Sequence, residues 1–261
     1  IKKFDIVSSS INKDGVTYAL AQDSSHVSGV SKIITKIAYG KEQSNIEMSI
    51  SKEDLKINIA SLPISILSSL VPIEYRVPEL YSAGKDFKCD LVLSYSDARF
   101  SVKSTAQDKG NKNAIKELIF EANNDNTRDI LNIDKCFVKL ADKGVLWAKG
   151  SVGLSGIFID LDLNTQKFKM ENTGKIWPLG VQVEARKWIV LSLPEGIVEE
   201  GGLKIKIDGL SGIKDDSLQG FLKYQNLTLN YYPEYAKISK VNGTASITSN
   251  SIAFKASSAE M

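Results

Sequence analysis

Apolar and polar positions alternate with a period of two along most of this chain. Val16, Tyr18 and Leu20 are separated by Thr17 and Ala19. Ile46, Met48 and Ile50 enclose Glu47 and Ser49, and Ile57 and Ile59 flank Asn58. The pattern recurs at Leu91, Leu93 and Tyr95, at Phe100 and Val102, and at Cys136, Val138 and Leu140. It continues through Ile157, Ile159, Leu161 and Leu163, then Leu203, Ile205 and Ile207, then Leu227, Leu229 and Tyr231, and ends at Ile252, Phe254 and Ala256. Successive side chains of a strand point to opposite faces, so each run predicts a strand that is apolar on one face and wet on the other. Buried parallel strands would instead be unbroken apolar runs with helices between them, and neither feature occurs. Turn-forming residues punctuate the runs at Lys13-Asp14-Gly15, Asn123-Asn124-Asp125-Asn126, Asp142-Lys143-Gly144 and Glu200-Gly201-Gly202. The expected fold is mainly β, with roughly a dozen to fifteen antiparallel strands. The stretch Asn111 to Asn123 fits a strand or a short helix and is assigned to a strand.

Two short helices are expected within this pattern. Ser61 is placed to cap the first, Pro63 suits its first turn, and Ile66, Leu67, Leu70 and Val71 give an apolar stripe that Pro72 ends. The second lies in Lys175 to Gly196, the least strand-like stretch of the chain. There Val181, Ala185, Trp188 and Ile189 share one helical face, Glu184, Arg186 and Lys187 fall mostly opposite, and Pro194-Glu195-Gly196 ends the helix. The Trp188 face is expected to be the buried one. The chain reads as a single unit, 1–261, with a candidate subdivision near 172–180.

Composition narrows the function classes. The chain is 43% hydrophobic and 25% charged, which marks a folded chain and not a disordered one. Lys plus Arg is 33 and Asp plus Glu is 31, a balance that gives no reason to expect nucleic acid as a partner. No stretch approaches the roughly 20 apolar residues of a membrane span. The longest apolar run, Leu62 to Ile73, is broken by prolines and serines. The chain begins at Ile1 with a strand-like run close behind, so it reads as a piece of a longer protein. Cys89 and Cys136 fix no redox compartment; two free thiols or one disulfide both fit.

The search for catalytic chemistry is negative. The one histidine, His26, sits in what reads as a polar loop, Gln22–Gly29. No Gly-rich phosphate loop, nucleophile elbow or cysteine metal pattern occurs, so no metal or cofactor is expected. Asp160 and Asp162 point to one face of a strand and would suit a glycoside-type carboxylate pair, but the wet face of a sheet accounts for them more simply. Tyr224, Tyr231, Tyr232 and Tyr235 could form a carbohydrate or lipid-headgroup surface, but packing at a strand end accounts for them more simply. GLSGI occurs at Gly153–Ile157 and again at Gly209–Ile213, a trace of a repeated β-unit or a coincidence. The open question is what covers the apolar faces. A closed sandwich would bury them against one another. A long curved sheet would leave them lining a trough that only an apolar ligand could fill.

One group of residues bears on that choice. Ile176-Trp177-Pro178, Arg186-Lys187-Trp188-Ile189, Leu193 and Gly196 resemble a signature of the AsmA-like family, closest to its large YhdP-type members. Ile57-Asn58-Ile59-Ala60-Ser61-Leu62-Pro63 followed by Ile66 to Leu70 looks like the family's strand and leucine-rich helix. Leu227 to Pro233 with Ile238, Val241-Asn242-Gly243 and Ile247 looks like its closing strands. These matches run from about residue 57 to the end, and Leu179-Gly180 after Trp-Pro departs from the pattern. The resemblance implies an elongated, curved antiparallel sheet with an apolar groove. It also implies a non-enzymatic segment of a periplasmic bridge that carries phospholipids between the inner and outer membranes of Gram-negative bacteria. The anchor in the inner membrane would lie outside this fragment. The partners it implies are lipids, flanking segments of the same chain and membrane proteins at either end. The expected groove residues are Ile57, Ile59, Leu91, Leu93, Ile157, Ile159, Leu161, Leu163, Leu203, Ile205, Ile207, Leu227 and Leu229. Trp177, Pro178, Arg186, Trp188 and Gly196 carry the family signature. The competing expectations are a structural or adhesion-type sandwich or solenoid with a dry core and, well behind it, a hydrolase using Asp160 and Asp162.

Overall fold

A computed structural model describes residues 2–4, 9–13, 16–27, 30–39, 42–51, 54–63, 73, 76–82, 87–94, 99–106, 115–125, 129–153, 158–177, 179–180, 183–208, 216–230 and 236–260. Within them are sixteen strands: β1 (Lys2–Phe4), β2 (Ser9–Lys13), β3 (Val16–Val27), β4 (Val30–Tyr39), β5 (Glu42–Ile50), β6 (Leu55–Pro63), β7 (Phe87–Ser94), β8 (Arg99–Ala106), β9 (Ile115–Asp125), β10 (Ile130–Leu140), β11 (Val145–Gly153), β12 (Phe158–Lys169), β13 (Ile197–Asp208), β14 (Leu218–Leu229), β15 (Ile238–Thr248) and β16 (Ile252–Glu260). Helix α1 spans Pro78–Ser82. A 3-10 turn, Met170–Asn172, leads into α2 (Thr173–Ile176), and α3 spans Val183–Ser192.

All sixteen strands belong to one sheet. From β3 onward each strand pairs antiparallel with the next in sequence, while β1 and β2 both pair with β3. The path has fourteen strand-to-strand steps, about 67 Å at ~4.8 Å per step. Its two ends do not meet, so the sheet is open. The accessible surface is 16507 Å², against about 11,300 Å² for a compact monomer of this mass. That excess accords with an extended, unclosed sheet.

Up-and-down topology sends successive connections to alternate edges. The β6–β7 and β12–β13 connections fall on the same edge, and all three helices lie in them. The two insertions leave the sheet six steps apart, yet α1 packs on α2, and the Leu179 N–H donates to the Arg76 carbonyl at 3.2 Å. They therefore reach toward one another over the ends of β8–β11. The opposite edge carries short turns such as Ser51–Asp54 and Thr248–Ser251.

The buried core follows the helical edge. Leu62, Cys89, Ile115, Leu140, Phe168, Val198, Leu227 and Val241 are all nearly inaccessible and lie at the strand ends on that side, with Leu80, Ile176 and Ile189 of the insertions packed on them. Left-handed residues re-aim several of these ends. Ser61 (φ 58), Lys167 (φ 51) and Asn226 (φ 51) interrupt the alternation, so that Leu62, Phe168 and Leu227 join the apolar face. At Ser61 and Asn226 the register shifts, as at a bulge. The Ser61 N–H donates to Asp90 Oδ1 and the Asn226 N–H to Asn242 Oδ1, both at 3.0 Å, so the interrupted ladder keeps its partners.

Several expectations change. Ser61 and Pro63 lie in β6 and do not begin a helix, because the bulge at Ser61 carries the strand on into the core; the rest of that expected helix lies outside the described residues. Gln22 to Val27 belongs to β3, so His26 is in a strand paired with β4 and not in a loop. Asn123 to Asp125 finishes β9 and is not in a turn, while Asn126 lies outside the described residues. Gly201 and Gly202 are inside β13 and not in a turn. A Cβ on Gly201 would lie 2.7 Å from Leu222 Cδ2, and one on Gly202 would lie 2.9 Å from Phe221 Cε1, so neighbouring side chains fill the space above both glycines. The strand assigned within 111–123 is β9, and the turn at Asp142–Gly144 is present. β12 and β13 pair directly on either side of the 172–180 stretch, so the sheet runs through it unbroken. The second GLSGI, Ile157, Pro178, Tyr231, Tyr232 and Tyr235 lie outside the described residues.

Candidate functional site: an open apolar face

Cross-strand register sets the apolar residues in rows that run along the sheet, across the strands. One row joins Ile33, Met48, Ile57, Leu93, Phe100, Ala122, Ile133, Gly150, Leu161, Ile205 and Leu218. No polar residue occupies it from β4 to β14, about 48 Å. The next row, nearer the helices, joins Ile46, Ile59, Leu91, Val102, Phe120, Cys136, Ala148, Leu163, Leu203, Gly220, Ile247 and Ile252. It too has no polar side chain, over twelve strands. Ile159 and Ile207 are paired one row toward the open edge. Leu227 and Leu229 follow the Asn226 bulge at the helical edge. Every described residue expected to line a groove therefore falls on one face.

That face is partly uncovered. Leu91 and Leu227 are buried, but Ile57, Ile59, Leu93, Ile159, Leu161, Leu163, Leu203, Ile205, Ile207 and Leu229 are half-buried. A second sheet stacked at about 10 Å would close such residues off, and the single strand path supplies none among the described residues. Among the described residues, the helical insertions cover the face at their own edge.

The opposite face is polar and cross-linked. Lys32 pairs with Glu47 at 2.7 Å, and Asp160 lies 3.9 Å from Lys206. Asp162 stands in register between Lys149 and Lys204. Asn123 donates to Asp134, Asn132 to Asn123, and Ser151 to Asn132. Asp160 and Asp162 thus belong to a row of exposed cross-strand charge pairs.

The signature residues build the helical insertion. The Trp177 N–H donates to the Thr173 carbonyl at 3.0 Å and closes α2. Arg186 Nη2 donates to the Gly174 carbonyl at 2.7 Å and holds α3 against α2. The Gly196 carbonyl accepts the Met170 N–H at 3.0 Å, which brings the chain back to the sheet. Gly196 has φ 133, and a Cβ there would lie 2.7 Å from Leu227 Cα, so the close approach excludes any side chain. Of the face expected to be buried, Ile189 packs on the core, but Ala185 and Trp188 are exposed. Trp188 is 37% exposed and Val183 and Leu191 more so, while Arg186, Ile189, Val190 and Leu193 form the inner side. Val181 lies outside the described residues, and Leu193, beyond that stripe, is buried and fixes which side faces the core.

Both cysteines are free. Cys136 lies on the half-open face, where burial raises its thiol pKa; Cys89 is buried, and desolvation followed by the charge of Asp90 pushes its thiol up to about 12. Thiolate is the reactive form. Maleimide labelling of Cys136 should therefore be slower than that of a free thiol at neutral pH and should quicken as pH rises. Cys89 should label only on unfolding. Mass spectrometry of a pH series checks both. Among the described residues no group of side chains could hold a metal ion, and no helix is long and apolar enough to cross a membrane. No family model, characterised protein or solved structure matches the chain.

Proposed function

We propose that this chain is a non-enzymatic segment of a lipid conduit whose apolar face holds the acyl chains of phospholipids. The observation that carries the reading is the pair of rows without a polar residue, on a face left half-open by an unclosed sheet. So large an uncovered apolar surface needs a ligand or a partner. Acyl chains suit it better than a peptide does. The strand backbones beneath are already paired in ladders, so an extended peptide lying on the face would leave its own N–H and C=O groups unsatisfied. A methylene chain carries no such groups and gains roughly 0.8 kcal/mol per buried CH₂. Rows without polar steps favour lipids that slide along the sheet with little selectivity. The AsmA-like resemblance supports placing the segment in the periplasm, in a longer chain anchored to the inner membrane, with lipid passing toward the outer membrane.

Native mass spectrometry of the purified protein is expected to show co-purified phospholipid. The protein should take up a fluorescent phospholipid, and loading should protect Cys136 from maleimide. A lipid-free protein that takes up none and keeps Cys136 equally reactive would sink the proposal in favour of a dry structural scaffold.

A further inference from the structure

The apolar face is closed at one edge and open at the other. Leu140 is 1% exposed, Ile115 2% and Val198 4% at the helical edge, where Leu80, Ile176 and Ile189 pack on the core. Farther along the same strands toward the opposite edge, Ile133 and Ile205 are half-buried. Among the described residues, that opposite edge carries turns whose backbone and hydroxyl groups bond locally, as at Ser51–Asp54 and Thr248–Ser251. A phospholipid head cannot give up its water at the plugged edge without losing more than it gains, whereas an acyl terminus loses nothing there.

We infer that bound diacyl phospholipids lie with their tails toward the helical insertions and their heads over the opposite lip, which carries no helix among the described residues. This orientation rests on the lipid-conduit reading above. It makes the two lips unequal: the insertions set how deep a tail can reach, and the turns at 51–54 and 248–251 border the headgroups.

Photo-crosslinking of the unmodified protein tests it. One phosphatidylethanolamine carries a diazirine at the acyl terminus and another carries it on the headgroup; both are loaded and irradiated, and the adducts are mapped by peptide mass spectrometry. The terminal probe is expected to mark peptides holding Leu140, Phe168 and Ile176 over those of the opposite turns by at least about tenfold, equivalent to about 1.4 kcal/mol. The headgroup probe should show the reverse preference. An even spread of both probes, or an inverted one, overturns the orientation and leaves the conduit reading standing. Adducts absent from the apolar face with both probes overturn the two together.

Discussion

Replacing Ile205 by Asp is expected to abolish phospholipid uptake and leave the sheet folded. Ile205 stands midway across the sheet in an apolar row, between Leu161 and Leu218, and its side chain is half-buried. With the face empty, a carboxylate there reaches water. The cost is then limited to the lost apolar burial, about 1–2 kcal/mol. With acyl chains seated over it the same carboxylate is desolvated without a partner, which costs several kcal/mol and should reduce uptake more than tenfold. Leu140→Asp is the control. Leu140 is 1% exposed under the helical insertions, so its substitution should prevent folding, because a buried unpaired charge is among the few changes that remove most of a domain's stability. Circular dichroism and thermal melts, read beside fluorescent-lipid uptake, separate the cases. If Ile205→Asp unfolds the protein as Leu140→Asp does, the face is a dry core. If it folds and still takes up lipid, the row is not the binding track.

Much of this sheet is legible in the sequence because a strand exposed on one side writes its two environments as alternation. Ile57 with Ile59, Leu161 with Leu163, and Leu203 with Ile205 declare their common face before any partner strand is known. Four things are not legible. Alternation does not say whether the apolar face meets another sheet or water; the unclosed strand path and the half-burial of Ile159 and Ile207 bear on that. It also breaks where single left-handed residues reset the parity. Ser61, Lys167 and Asn226 are ordinary-looking polar residues whose role depends on the strands they join. Gly201 and Gly202 read as a turn because the side chains that fill their space, Leu222 and Phe221, come from a strand about twenty residues later. Finally, the helix after Val181 has apolar residues on most sides, so its stripe could not assign an inner face. The assignment depends on Leu193 and on the Arg186–Gly174 hydrogen bond, both tertiary. Period two exposes pairwise geometry, and what packs across a layer has to come from the fold.

Gly150→Ala is expected to break the sheet locally between β11 and β12 without unfolding its remote strands. Gly150 has φ 143, a backbone region that side chains rarely adopt, and a Cβ built on it would lie 2.0 Å from the Asp160 carbonyl and 2.9 Å from Leu161 Cα. The obstacle is backbone of the paired strand, so no rotamer change relieves it. On its other side β11 pairs with β10, whose register already shifts between Ile133 and Cys136. Strained φ and a displaced ladder together should cost roughly 2–4 kcal/mol. Each strand touches chiefly its two neighbours, so stability is close to a sum of neighbour terms, as in repeat proteins, and damage stays near its origin. The α1–α2 contact bridges β6–β7 to β12–β13 around the break, so the two parts should stay together. Hydrogen exchange should show lost protection in β10–β12 and retained protection in β5–β6 and β14–β16. Uniform loss across all strands would mean the sheet folds as one cooperative body and would overturn the neighbour-sum account. Gly150 stands in the first apolar row and Ala148 in the second, so a local break between β11 and β12 interrupts both. Each half should therefore still bind a fluorescent phospholipid, while movement of lipid from one half to the other, read by energy transfer between labels placed near β5 and β16, should slow sharply.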